Sequence, residues 1–574
     1  MTPVSFNGCF GWLHAPRGNA VGDVAVLLCP GLMEDAVVAH CSLRRLADEL
    51  AAAGYCALRM DYPGTGDSCD PDREGPDGYW TVWQQSVDAA ADWLRTTTGA
   101  RHLVLGGLRI GATLATLAAA RRDDVAGLVL LEPVLGGHSY VRQLRLDAEM
   151  LNGQRPAKNE GLELREFNFS VETLARIGEV DLRHAGLRAG LKAAIFAHSN
   201  TKLVEECVQD WAGRGVTTDC PGWEGLDPLV RQNFIEADRL ADFGIVLRWL
   251  RQAVPPAVAP APQAINLEPA ALHPPGCIET PLSFGADGRL FGMLCRPDHG
   301  TPQDVVIIGN VGREPHYGTA RHTVAFARRL ASVGIASLRL DFAGLGDSIG
   351  PAGEENLRSH VFKQDRAPDV RAAVDALEAL GFRRFALQGI CSGAYHAFQG
   401  ALQEPRISTL LLVNIPLYTL PDGDVRGYIE QRDLSPLFRK LFIRQSWERL
   451  VNGQSNLRNV VLGQIANVRA KSASKAQRLA RRLGLAPEES FAQQAMSTLS
   501  KRGVRTLFLF SPNDGDVAVF AREFGPTEAG LSAYPGAAMR VVPGMDHSLM
   551  KNAGRDLAET LTIEFLGRSV AHSA

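Results

Sequence analysis

Phe385-Ala-Leu-Gln-Gly389-Ile-Cys391-Ser-Gly393-Ala-Tyr-His-Ala397 decides how the rest of the chain is read. A short apolar run leads into a cysteine bracketed by glycines, and a helix-compatible segment follows. The order predicts a strand, a sharp turn and a helix. Gly389 and Gly393 flank the turn because a nucleophile displayed there sits on strained backbone with no room for side chains beside it. A buried cysteine in a glycine-rich turn reads the same over five residues, so the surrounding chain has to supply the partners.

A cysteine nucleophile needs a base to take its proton and a group to orient that base. The apolar run Val504–Phe510 predicts a strand, and Ser511-Pro-Asn-Asp514-Gly-Asp516 follows it. The next predicted strand, Ala538–Val542, runs into Pro543-Gly-Met-Asp546-His547. Nucleophile, acid and histidine therefore arrive in the chain order of a strand-borne triad, each at the C-terminal end of a strand, where ligands gather in open parallel sheets. The assignment is Cys391 as nucleophile, His547 as base and Asp514 as acid, with Asp516 as the alternative acid. Asp546 is too close in sequence to turn toward the far ring nitrogen. Ser392 is set aside as nucleophile because 391 is the central position of the turn. The oxyanion hole is expected to use the backbone N–H of Ser392 and a second N–H from the loop Gly309-Asn-Val311-Gly312, at Gly312 or Val311. Tyr395 and His396 follow the turn as pocket lining or as helix packing.

The same pattern occurs twice. Leu58-Arg-Met-Asp61-Tyr-Pro-Gly-Thr-Gly66-Asp67-Ser68 returns as Leu338-Arg-Leu-Asp341-Phe-Ala-Gly-Leu-Gly346-Asp347-Ser348, at a constant offset (341 − 61 = 280; 348 − 68 = 280). Gly107-Leu-Arg109-Ile-Gly111 matches Gly389-Ile-Cys391-Ser-Gly393, with 389 − 107 = 282. The chain reads as two copies of one α/β unit. Between them, Ala253-Val-Pro-Pro-Ala-Val-Ala-Pro-Ala-Pro262 is too rich in proline to continue a helix or a central strand. The expected division is residues 1–252, a linker at 253–278, and 279–574.

In the second copy, near-continuous apolar runs at Asp304–Ile308, Ile335–Leu340, Phe385–Gln388 and Thr409–Val413 join the two strands above. Helices are expected at Thr323–Ser332 and Asp369–Leu380, closed by Gly334 and Gly381. Buried strands alternating with helices indicate an α/β fold in which a mostly parallel sheet is flanked by helices. The polar, helical stretch at about 417–500 breaks the alternation and reads as a cap, with a counterpart at roughly 135–190 in the first copy.

That first copy lacks the chemistry. Arg109 stands at the nucleophile position, the strand Ala193–Ala197 leads to His198-Ser-Asn-Thr201 without a carboxylate, and Pro221–Leu229 contains no histidine. The reading is a degenerate domain that docks against, gates or extends the site of the other. Arg109 as a clamp for carboxylate or phosphate is the alternative.

Over 574 residues, a net charge of −3 gives no global reason to expect nucleic acid or an anionic membrane as partner. No stretch approaches the roughly 18 apolar residues of a spanning helix, and no signal-like N-terminus is visible, so a cytoplasmic location is expected. The ten cysteines show neither CxxC nor zinc spacing, so neither disulfide nor metal is expected, and the triad requires no cofactor.

On these residues the second copy resembles an α/β-hydrolase of the serine-aminopeptidase-like group. It is similar to the exosortase A system-associated hydrolases through Val311-Gly-Arg-Glu-Pro-His-Tyr-Gly318, His322 and Leu338–Ser348, and the first copy resembles their companion type through Gly136–Leu144. The resemblance implies two tandem α/β-hydrolase domains. Cysteine departs from most serine-using relatives, although polyhydroxyalkanoate synthases carry a similar GxCxG box and dienelactone hydrolases use cysteine. A thiol attacks thioesters and activated esters readily, and the acyl-cysteine is itself a thioester that amines and thiols attack well relative to water. The expected activity is acyl transfer from a thioester or ester to an acceptor or to water. A plain ester hydrolase and a non-catalytic scaffold are the alternatives. The basic run Arg439-Lys440, Arg444, Arg449, Arg469, Lys471, Lys475, Arg478, Arg481 and Arg482 is either a solvated helix face or a dock for coenzyme A phosphates or an acidic acyl carrier protein.

Overall fold

The computed structural model describes the chain except for residues 17–21, 72–77, 154–155, 158–159, 199–200, 224–228, 230–240, 257–264, 266, 351–360, 363–364, 421–488, 513 and 571–574. The basic run at 439–482 and most of the expected second cap lie outside the described residues.

Two eight-stranded sheets account for both copies. The first contains β1 (Thr2–Phe6), β2 (Cys9–His14), β3 (Val24–Cys29), β4 (Cys56–Met60), β5 (His102–Leu108) and β6 (Val125–Leu131). A separate hairpin, β7 (Leu162–Leu164) with β8 (Phe167–Phe169), precedes the last two strands of that sheet, β9 (Lys192–Phe196) and β10 (Thr217–Asp219). The strand order is β1-β2-β4-β3-β5-β6-β9-β10, with β2 antiparallel to both of its neighbours, β1 and β4, and the other pairs parallel. The second sheet is built from β11 (Cys277–Phe284), β12 (Leu290–Pro297), β13 (Asp304–Ile308), β14 (Ala336–Asp341), β15 (Arg384–Ile390), β16 (Ile407–Val413), β17 (Arg505–Phe510) and β18 (Ala537–Val541). Its order, β11-β12-β14-β13-β15-β16-β17-β18, repeats the first strand for strand. Both are α/β-hydrolase sheets. The order reverses at β13, so the loop after β13 and the turn after β15 open side by side.

The parallel strands are buried on both faces, which is why they read as continuous apolar runs rather than as alternation. Helices His322–Ser332, Ala367–Ala379 and Ser392–Gln403 cover the second sheet. The middle one begins two residues earlier than the sequence reading, because Pro368 is tolerated in a first helical turn that needs no N–H from it. Phe491–Lys501, inside the expected cap range, packs Ala492, Ala495, Met496 and Leu499 into the same core as β17. In the first copy the insertion between β6 and β9 holds helix Gly137–Asn152, the β7–β8 hairpin and helix Val171–Gly178.

His396 lies in the helix after Cys391, 4 % exposed, where its Nε2 donates to the Val361 carbonyl at 2.7 Å and its ring meets Phe342 and Tyr395. Burial, aided by the nearby Arg366 charge, pushes it down to about 3. The unfolded chain therefore takes up a proton below pH 6.5 that the folded chain refuses, so this group costs stability as pH falls from 6.5 toward 3. Urea titrations of wild type and His396→Gln are expected to show the stability difference turning against wild type across that window, by up to about 1.4 kcal/mol per pH unit.

The copies meet through β2 and β12. Phe10 and Trp12 pack with Leu272, Phe291 and Met293, and the Trp12 and Phe291 rings stand edge to face at 4.7 Å. Around this apolar patch the repeated motif interlocks in both directions. Arg59 of the first copy reaches Asp347 at 2.8 Å, and Arg339 of the second reaches Asp67 at 3.0 Å. Arg44 donates to the carbonyls of Gly346 and Ser348 at 2.8 and 3.1 Å. Arg321 answers it at Gly66 and Ser68. A self-complementary contact of this kind is the geometry of a two-fold dimer, realised here within one chain.

Candidate active site

Strand β15 ends at Ile390, and Cys391 turns the chain into helix Ser392–Gln403 with φ 54° and ψ −119°. A non-glycine residue in that conformation is strained, and the neighbours show why it persists. A Cβ at Gly389 would lie 2.1 Å from the Gly393 carbonyl carbon, and one at Gly393 would lie 2.4 Å from the Asn310 carbonyl oxygen. The two glycines let strand, helix and the loop after β13 converge on the cysteine. The first N–H groups of the helix, that of Ser392 among them, have no helical carbonyl to bind.

His547 stands in the loop after β18, and its Nδ1 is hydrogen-bonded to Asp514 in the loop after β17. Asp516 is farther, at 3.7 Å from the same nitrogen. Burial would push the imidazole down, but hydrogen bonds to Asp514 and Cys391 and the charges of both raise it to about 10. His547 is thus hydrogen-bonded to the acid on one side and to Cys391 on the other. Asp546 faces elsewhere, accepting from the N–H groups of Ser548, Met550 and Lys551 at 3.1, 3.1 and 2.8 Å. With Nδ1 held by Asp514, Asp514→Asn is expected to lower kcat by roughly 10³- to 10⁴-fold through the wrong tautomer. Asp516→Asn is expected to cost less than about tenfold. Steady-state turnover of an activated acyl ester measures both.

The loop after β13 is fastened on all sides. The Gly312 N–H donates to the Ser392 hydroxyl at 2.8 Å, tying the loop to the turn. Asn310, 4 % exposed, donates from Nδ2 to Asp341 at 2.6 Å and to the Glu314 carbonyl at 2.8 Å, and accepts from the Phe342 N–H at 2.7 Å. Asn414, unmentioned in the sequence reading, plays a similar part on the other side. Fully buried at φ 47°, it donates to the His547 carbonyl and the Ser511 hydroxyl at 2.9 Å each and accepts from the Ser511 N–H at 2.8 Å. It joins the acid loop to the histidine loop. Its signal was available: an asparagine directly after an apolar strand is a residue suited to left-handed backbone.

The first copy keeps this turn without its chemistry. Arg109 has φ 54° and ψ −121°, within a few degrees of Cys391. Its guanidinium lies 3.5 Å from Asp35 and donates to Gln143 at 3.1 Å, so the charge at the position matching Cys391 is answered from within the copy. Glu132, at the position of Asn414 (414 − 132 = 282), accepts from the His198 N–H.

The sequence model of the serine aminopeptidase family S33 matches residues 22–165, in the first copy. No curated protein matches the chain in sequence. Among solved structures, DcsB in complex with its substrate analogue is 16 % identical, covering 44 % of this chain and 98 % of its own, with a TM-score of 0.31. Est1E from Butyrivibrio proteoclasticus is 15 % identical over 52 % of this chain and 99 % of its own, at 0.30. An esterase from Pyrococcus furiosus is 14 % identical over 50 % and 90 %, at 0.32.

Proposed function

We propose that the second copy is an acyl-transfer enzyme working through an acyl-cysteine. The observation that carries this reading is His547, hydrogen-bonded to Asp514 on one side and to Cys391 on the other, with Cys391 displayed on the strained turn. Sγ attacks the carbonyl carbon of an ester or thioester, and its proton passes to Nε2 of His547. The tetrahedral oxyanion is held by the Ser392 N–H and by an N–H of the loop after β13, Val311 or Gly312. Gly312 would have to leave the Ser392 hydroxyl to serve, so Val311 is the donor that costs less rearrangement. The carbon–oxygen or carbon–sulfur bond of the donor breaks, and His547 returns the proton to the leaving alkoxide or thiolate. An acceptor amine, alcohol, thiol or water then gives its proton to His547 and takes the acyl group, and Sγ leaves.

Donors on coenzyme A or on an acyl carrier protein fit a thiol nucleophile, since thiol–thioester exchange is nearly balanced. Intact-protein mass spectrometry after exposure to acyl thioesters tests the reading. The expected result is a mass increase of one acyl group on wild type and none on Cys391→Ala. Clearance by an added amine faster than by water assigns a transferase, and clearance by water alone assigns a hydrolase. A wild-type protein that never acquires the adduct and shows no turnover would overturn the proposal.

A further inference from the structure

The first copy has lost its own triad, yet one of its side chains reaches the machinery of the other. Asp67, 1 % exposed, accepts at Oδ2 from Nε2 of His316 at 2.6 Å. His316 belongs to the segment after β13, six residues beyond Asn310. Its Nδ1 is hydrogen-bonded to Asp341 Oδ2 at 2.7 Å, and Asp341 Oδ1 accepts from Asn310 Nδ2 at 2.6 Å. Asn310 in turn orients the loop that carries Val311 and Gly312 and lays its carbonyl against the helix behind Cys391. We propose that Asp67 is a positioning residue of the second copy's active site, acting through the His316 ring and Asp341 to hold the oxyanion loop 310–318. The inference rests on the acyl-cysteine reading above and assigns the degenerate copy a part in it.

The chain of contacts is closed to water and spans both copies. Asp67, His316, Asp341 and Asn310 are each at most 4 % exposed. Both ring nitrogens of His316 face carboxylates, so both carry protons. Burial opposes that charge, but Asp67 and Asp341 outweigh it and hold His316 well above its ordinary range. Arg339, at 3.0 Å from Asp67 Oδ1, balances the remaining carboxylate charge and is itself met by Glu279 at 2.9 Å. The backbone of His316 is pinned as well, its carbonyl accepting from Thr323 Oγ1 at 2.6 Å. Without the Asp67 charge the imidazolium is held by Asp341 alone, the same carboxylate that orients Asn310 through its other oxygen, and the loop loses its fixed position. An oxyanion donor acts only while it is aimed at the developing charge, and a displacement of about 1 Å costs on the order of 10²-fold.

Two reactions of Cys391 separate positioning from folding. Alkylation by iodoacetamide is a displacement at saturated carbon and needs the thiol and His547 but no oxyanion hole. Acylation by an activated thioester needs all three. Asp67→Asn keeps an oxygen acceptor for His316 but removes the charge and turns its amide N–H toward Arg339. It is expected to alkylate within about twofold of wild type while acylation slows about 10- to 100-fold, with kcat falling and KM little changed. Thr323→Val, which loosens the same loop from inside the second copy without touching the interface, is expected to show the same split. Leu272→Ala, which weakens the apolar patch between the copies without a polar contact to the Asp67–His316–Asp341 chain, is expected to leave both rates within about twofold. Equal acylation by Asp67→Asn and wild type would overturn the inference while leaving the acyl-cysteine reading intact. Parallel losses of alkylation and acylation in Asp67→Asn, with no split in Thr323→Val, would also overturn it. A wild type that alkylates but never acylates would overturn both.

Discussion

Cys391→Ala is expected to abolish turnover and the acyl adduct together, a loss of at least about 10⁴-fold in kcat/KM, while the fold is untouched. The reason is local. Alanine accepts the φ 54° backbone as well as cysteine does, and Cys391 is only partly buried beside its apolar cluster, so the change removes the nucleophile at little cost to packing. His547→Ala is expected to fall almost as far, because His547 is hydrogen-bonded to Cys391 and a unit that acts together is lost with either member. The double variant should then be no worse than the single ones. Turnover of a thioester and an oxygen ester, read beside the adduct mass, measures all three. Residual activity in Cys391→Ala within about tenfold of wild type would place the chemistry elsewhere.

The second large effect concerns stability. Arg339 is wholly buried, with ion pairs to Asp67 at 3.0 Å and Glu279 at 2.9 Å, both carboxylates 1 % exposed or less. Arg339→Met keeps the volume of the stem but strands negative charge in the interior. Breaking a buried pair by removing one partner costs about 3–5 kcal/mol, since the charge left behind has neither water nor counter-ion. Arg328 remains on Glu279 at 2.6 Å, and His316 on Asp67, so a cost toward the lower end is expected. Urea unfolding of the full chain measures it. The loss should fall on the coupling between copies, splitting one transition into two, because the pair lies between the sheets rather than inside either core.

The sequence reading reached the fold through features that are local or that repeat: apolar runs the length of a strand, glycines at a turn, and a motif recurring 280 residues later. It singled out Cys391, Asp514 and His547 because chain order and strand ends constrain where such residues can stand. The structure brings those three together. What it did not reach depends on pairing across the chain. Arg59, Asp67, Arg339 and Asp347 were read only as evidence of duplication, although they form the joint between copies. No periodicity announces that an arginine will meet an aspartate 288 or 272 positions away (347 − 59; 339 − 67). His316 lay within the quoted segment 311–318 without a role, since a lone histidine in a loop gives no sign of two carboxylates closing on it. Arg109 was read as a clamp or a relic, and the decisive neighbour, Asp35, comes from a helix start that sequence does not place beside it.

The joint between copies resembles the face of a two-fold dimer, but the two halves share a backbone. In a homodimer each substitution is made on both sides at once, so no residue can be kept on one and discarded on the other. Covalent joining removes that restriction, and it makes the association independent of dilution, since the partner is always present at a high local concentration. The turn that holds Cys391 in one half holds Arg109 in the other, while each half still sends a histidine to the other's aspartate, His316 to Asp67 at 2.6 Å and His40 to Asp347 at 3.2 Å. On the reading proposed above, one half was thus free to become a support while the other carried the chemistry, and no shortage of free subunits can part the two.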